Sequence, residues 1–99
     1  MPSYIITNKA VDDLTKIWDY TFEVWSEKQA DKYYSMLHNS FQDLADDKIS
    51  GKHYDEVRAD LFGFRVGQHI VFYRKIESDT IEVVRILHSR MDLKGRMQE

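Results

Sequence analysis

Near the C-terminal end of the chain, residues 81–93 read IEVVRILHSRMDL, and Lys94 follows directly. Arg85, His88, Arg90 and Lys94 gather within ten positions. An imidazole among cations can serve general acid–base chemistry on an anionic substrate. The same set can grip an acidic or phosphorylated surface without any chemistry. It can also be the solvated end of an ordinary strand, and spacing alone favours that last reading. Side chains alternate along a regular strand, so Val83, Arg85 and Leu87 share one face and Val84, Ile86 and His88 the other. On that geometry Arg85 leaves the sheet on the side opposite His88.

Other chemistries find less support. The histidines at 38, 53, 69 and 88 show no His-x-x-x-His or His-Glu-x-x-His spacing, so no metal is expected. With no cysteine, disulfides, thiolate catalysis and Cys-based clusters are excluded. Asp12-Asp13 reads as a dipole partner in a first helical turn, and Asp46-Asp47 as a helix stop. Trp18, Phe22, Trp25, Tyr33, Tyr34 and Phe41 recur at helical spacing and read as core. There is no Gly-rich phosphate loop or nucleophile elbow, and no cofactor is expected.

The elements that must position the cluster follow from periodicity. Residues 3–7 favour extended backbone. From Asn8, a plausible N-cap, Val11, Leu14, Ile17, Trp18, Phe22 and Trp25 mark one face of a helix. Ser26-Glu27-Lys28-Gln29 is a capping box that opens a second helix at once. Ala30, Tyr33, Tyr34, Leu37, Phe41, Leu44 and Ala45 continue it to Asp46 or Asp47. Residues 51–60 read as irregular. The period then becomes two, giving strands over 61–66, 69–76 and 80–88, with turns at 67–68 and 77–79. A helical turn is expected around residues 91–93. The order β-α-α-β-β-β predicts an α+β domain, an antiparallel sheet covered on one face by an N-terminal helical hairpin.

Bulk properties set limits. A chain of 99 residues, 42% hydrophobic and 31% charged, suits one domain with one core. Net charge is −3, split as −5 over residues 1–56 and +2 over residues 57–99. That balance argues against binding nucleic acid through bulk electrostatics. No apolar run is long enough to span a membrane, and the start, MPSYIITNK, lacks a signal-peptide pattern. A cytoplasmic, mature protein is expected.

Four stretches together resemble the ParE toxins of the wider RelE/ParE superfamily. They are YIITNKAVDDL (4–14), KAVDDLTKIWDYTFEVWSEKQADKYY (9–34), LFGFRVGQHIVFYR (61–74) and EVVRILHSRMDL (82–93), which span nearly the whole chain. The resemblance implies a RelE/ParE-like fold and the toxin of a type II toxin–antitoxin system. It also implies a cognate antitoxin as partner in a hetero-oligomer, with DNA bound by the antitoxin and not by the toxin. RelE-type members cut mRNA on the ribosome; ParE-type members act on DNA gyrase. Aligned on GQHIVFY, the strand arginine of RelE-type enzymes falls at Ile70. Their arginine after the position of His88 falls at Ser89, and their C-terminal tyrosine at Leu93. None of the three supplies a cation or a phenol. The resemblance therefore points to gyrase inhibition by binding, with no catalytic residue. Arg85, His88, Arg90, Lys94 and Arg65 are the candidate contacts, and Arg74 a further one. The alternative is a ribosome-dependent nuclease rearranged around His88 and Arg90.

Overall fold

A computed structural model describes residues 2–97 of the chain. Strand β1 (Ser3–Ile6) leads into helix α1 (Asn8–Val24) and helix α2 (Glu27–Ala45). Strands β2 (Lys52–His53), β3 (Phe62–Val66), β4 (His69–Glu77) and β5 (Thr80–His88) follow, and helix α3 (Leu93–Met97) closes the described chain. The sheet order is β1-β5-β4-β3-β2. The α+β series is as expected, with two additions: the short edge strand β2 inside the stretch read as irregular, and α3 slightly later than the expected turn. The sheet is mixed, because β1 runs parallel to β5 while the other pairs are antiparallel.

Local chemistry accounts for the helix ends. Thr7, not Asn8, caps α1: its hydroxyl accepts from the Ala10 N–H at 3.1 Å and donates to the Val84 carbonyl at 2.8 Å. One side chain thus starts the helix and ties it to β5. Ser26 caps α2 as its pattern predicts, accepting from the Gln29 N–H. That helix stops where Asp47 adopts φ 62°, a left-handed conformation that Asp tolerates. The Asp47 N–H then reaches the Leu44 carbonyl and the Lys48 N–H the Asp43 carbonyl, which satisfies two orphan acceptors. The Asp46-Asp47 pair is therefore the stop that its position suggested.

The sheet carries apolar clusters on both faces. Toward the helices, Leu14, Leu37, Phe41 and Leu44 pack on Val71, Tyr73, Ile81, Val83 and Ile86. On the far side, Leu61, Ile70, Phe72, Val84 and Leu87 pack under Tyr54, Val57, Leu93 and Met97. The face left uncovered by the helical hairpin is thus closed by the segment before β3 and by α3. Phe41 and Phe72, each fully buried, contribute about 2–3 kcal/mol apiece from opposite faces.

Two expectations fail for physical reasons. Phe22, Trp25 and Tyr34 were expected in the core, yet they are 46%, 74% and 40% exposed. They lie outside the stripe that α1 and α2 turn toward the sheet, which is narrower than the run of aromatics. Trp18 is half-buried, stacked on Phe22 and donating through its indole N–H to Asp31 of α2. Strand β5 is also irregular. Phe72 faces Arg85 and Tyr73 faces Val83, so Val84 is an extra residue, a β-bulge. After the bulge the alternation resumes out of phase: Val83 and Ile86 both face the helices, while Val84 and Leu87 both pack on the far side.

Candidate functional site

The bulge decides the geometry of the cationic cluster. Beyond Ile6, β1 no longer pairs with β5, so the outer edge of β5 needs other partners. Thr7 takes the Val84 carbonyl, and Asp13 of α1 takes the Ile86 N–H at 2.9 Å. Arg85, displaced at the bulge, meets the same carboxylate with two bonds: Nε to Oδ2 at 2.8 Å and Nη2 to Oδ1 at 3.1 Å. Its Nη1 donates to the Arg96 carbonyl at 2.8 Å, which ties the C-terminal segment to the sheet. Both side chains are nearly buried, at 13% and 10% exposure. Asp13 is therefore not the first-turn dipole partner its position suggested. It lies deeper in α1 and organises the junction of helix, strand and C-terminal segment.

Around that junction opens a cleft of about 460 Å³. Arg85, His88 and Arg90 all border it, so Arg85 and His88 do not leave the sheet on opposite sides. Lys16 and Tyr20 enter from α1, His69 from β4, and Met91 and Arg96 from the C-terminal segment. Spacing had not singled out Lys16, His69 or Arg96. Lys94 stands exposed on α3 and Arg65 exposed on β3, neither bordering this cleft. Arg74 pairs with Glu82 at 2.7 Å.

His69 lies directly across the β4–β5 ladder from His88, ring centroids 5.3 Å apart and planes at 78°. Their ring nitrogens are assigned by their partners. The Tyr33 hydroxyl sits 2.7 Å from His69 Nδ1, receives the Gln68 N–H at 3.0 Å and lies 3.2 Å from the Val66 carbonyl. A phenol has one proton, so all three bonds coexist only when His69 Nδ1–H donates to Tyr33 and Tyr33 donates to Val66. That leaves His69 Nε2 as an acceptor. Burial, then the neighbouring His88, pulls the His69 imidazole from 6.5 down to about 4, against the opposite pull of Asp13. Burial also pushes the Tyr33 phenol up from 10.0, so it keeps its proton. His88 Nδ1 accepts from the Arg90 N–H at 3.1 Å, which leaves Nε2–H as the donor of the neutral ring. The cleft floor thus offers an acceptor and a donor side by side. Among the described residues no group of three or more His, Cys, Asp or Glu could hold a metal ion.

The sequence model of the family described as "ParE toxin of type II toxin-antitoxin system, parDE" matches residues 4–93. The chain belongs to the ParE toxin family. It is similar to Toxin ParE1 of Mycobacterium tuberculosis, 36% identical over 90 residues that cover 91% of this chain and 92% of that one. Toxin ParE of Escherichia coli is 33% identical over 99 residues, covering 100% and 96% of the two chains. A chain from the solved structure "Chromosomal ParDE TA system from P. aeruginosa" superposes with a TM-score of 0.75. At 18% identity, over 89% of this chain and 96% of that one, it supports the fold.

Within this ParE-family chain, a second cavity lies on the far face of the sheet. Ile70, Ser89 and Leu93, distant in sequence, all line its volume of about 480 Å³. Gly63 lines it too, and a Cβ there would sit 2.6 Å from the Tyr54 ring. The three positions that the resemblance sets against RelE-type catalytic side chains therefore lie around one cavity. Here they present two apolar groups and a neutral hydroxyl. Lys52 and Arg65 are the cationic side chains of that lining, and Arg65 Nε already donates to the Gly67 carbonyl at 3.0 Å.

Proposed function

We propose that this ParE-family toxin inhibits DNA gyrase by binding, works in the cytoplasm, and is neutralised by a cognate antitoxin. The convergence of Ile70, Ser89 and Leu93 in one cavity carries the reading. RNA cleavage there needs a clamp for the developing phosphate charge and a proton donor for the leaving oxygen. At those positions an isoleucine and a leucine supply neither, and a serine hydroxyl near neutral pH does not supply the cation; of the two cations in the same lining, Arg65 donates to the Gly67 carbonyl and Lys52 lies over the Tyr54 ring. The cationic cleft on the opposite face is the surface offered to gyrase, with Arg90 and His88 as contacts. Arg85 supports them from behind, held by Asp13. Lys94 and Arg65 are further contacts outside that cleft.

The antitoxin surface lies by the helical hairpin. Tyr4, Ile6, Val11, Leu14, Tyr34 and Phe41 line a shallow apolar groove beside β1, whose outer edge is unpaired within the described sheet. Val11 and Tyr34 are 44% and 40% exposed there. A segment that adds a strand to β1 and lays an apolar helix face in the groove would cover them.

The test is gyrase supercoiling of relaxed plasmid with purified protein, with and without antitoxin. Inhibition relieved by antitoxin is the expected result; active gyrase with folded protein and no inhibition removes the reading. A ribosomal reading keeps one specific observation, the facing pair His69 and His88. It requires mRNA cleavage on programmed ribosomes that His88→Ala abolishes.

A further inference from the structure

The gyrase reading names a partner but not the chemistry by which the cleft holds it. Lys16, Arg85, Arg90 and Arg96 border the cleft, and among the described residues Asp13 supplies its one carboxylate. That carboxylate is already used by Arg85 and the Ile86 N–H. A chain of net charge −3 thus brings Lys16 and Arg90 to one concave spot beside a carboxylate that is already engaged. Lys16 and Arg90 are exposed, and no described carboxylate pairs with either. The walls beside them are apolar and partly uncovered: Tyr20 is 66% and Met91 41% exposed.

We infer that the cleft takes an acidic side chain of a partner protein, an Asp or Glu carboxylate seated between Lys16 and Arg90 with an apolar neighbour against Tyr20 and Met91. The inference rests on the reading of this cleft as a binding surface. Charge placement favours a single carboxylate over a nucleic-acid backbone. Asp12, Asp19 and Glu23 stand exposed on α1, at helical steps from Lys16 and Tyr20. One anion can reach the cleft past them, but a strand of phosphates would run against that acidic row. A polyanion also needs a continuous cationic track, which the acidic α1 interrupts. On the floor, the His88 Nε2–H can donate to a carboxylate oxygen.

The test is an NMR titration of the full chain with the capped peptide acetyl-Leu-Glu-Phe-amide, its Gln analogue and a single-stranded oligonucleotide. Shifts should centre on Lys16, His69, His88 and Arg90. The Glu peptide should bind roughly five- to tenfold more tightly than the Gln analogue, the gain expected of one or two partly exposed ion pairs. That preference should vanish in K16Q/R90Q, two exposed positions whose replacement leaves the fold intact by circular dichroism. Equal affinity for the two peptides overturns the inference, as do shifts elsewhere or tighter binding of the oligonucleotide in the cleft. The titration contains no gyrase, so the two readings fail separately. Peptide binding by a protein that leaves gyrase active supports the inference and removes only the gyrase reading. Undiminished gyrase inhibition by K16Q/R90Q overturns the inference, and with it Arg90 as a contact, while gyrase inhibition itself stands.

Discussion

Two cavities of similar size lie on opposite faces of one sheet, about 460 and 480 Å³, near the same ends of β4 and β5. On the helix side are a buried ion pair, two facing imidazoles and exposed cations. The far side holds Ile70, Ser89 and Leu93 over a small apolar cluster. Adjacent residues supply both: His69 points one way and Ile70 the other, as do His88 and Ser89. Lys52 and Arg65 also line the far cavity, whereas Lys16, Arg85, Arg90 and Arg96 border the cleft on the helix side. Architecture is shared between such sites; function follows from which side chains each face presents.

The strongest way to break the contrast is to remove Arg85. Arg85→Ala strands a nearly buried carboxylate and releases the Arg96 carbonyl, so unfolding in urea should show a loss of about 4 kcal/mol. Replacing the pair together, Asp13→Leu with Arg85→Met, should recover much of that loss, because no buried charge is left alone. Unchanged stability in Arg85→Ala would mean the pair does not hold the junction. On the far face, Ile70→Ala should cost about 3 kcal/mol through an unfilled cavity. Gyrase inhibition per folded molecule should nevertheless stay at the wild-type level. Loss of inhibition in that variant, at full folding, would erase the distinction between the packing role of Ile70 and the binding role of the cleft.

His69 sharpens the comparison through pH. Its folded pKa is about 4 against 6.5 for the free side chain. Between those values the unfolded chain binds the extra proton, so stability is lower at acid pH and rises as pH increases through the window. Above the upper value the group adds no further pH dependence. Because the ring is partly solvated, the contribution should be at most about 2 kcal/mol. His69→Gln should flatten the stability profile between pH 4 and 6.5; an unchanged slope would show that other groups set it. The smallest effect is expected of Tyr33→Phe. It removes the hydroxyl that joins α2 to the β3–β4 turn, at a cost of about 1–2 kcal/mol. It should also free the His69 tautomer, visible as altered ring nitrogen shifts.

Much of the framework was legible because it rests on local rules. The Ser26 cap, the period-two strands and the stop at Asp46-Asp47 all depend on neighbours a few positions away. The His69–His88 pair was missed by one position: a turn read at 77–79 sets 76 against 80 and so 69 against 87, whereas the strand runs on to pair Glu77 with Thr80 and 69 with 88. Two irregularities on the way cancel, an extra residue at Ile76 in β4 and one at Val84 in β5. The side of the sheet that Arg85 reaches was not legible, because one extra residue inverts the alternation that follows it. The exposed Trp25 and Phe22 misled for a related reason. Helical spacing marks a face, but how much of that face is covered depends on where the sheet ends.

By itself, then, the sequence determined the α+β class, the helical hairpin, the meander and the family, since these follow from periodicity, caps and matched stretches. It also determined that Ile70, Ser89 and Leu93 cannot supply a charge clamp, because that follows from residue type alone. Only the tertiary structure decided that Asp13 binds Arg85 across 72 positions, that a bulge brings Arg85 and His88 to one cleft, and that Lys16 and His69 join them. Those facts depend on long-range pairing and on an unpaired strand edge that must find donors and acceptors, and neither leaves a periodic trace in the chain.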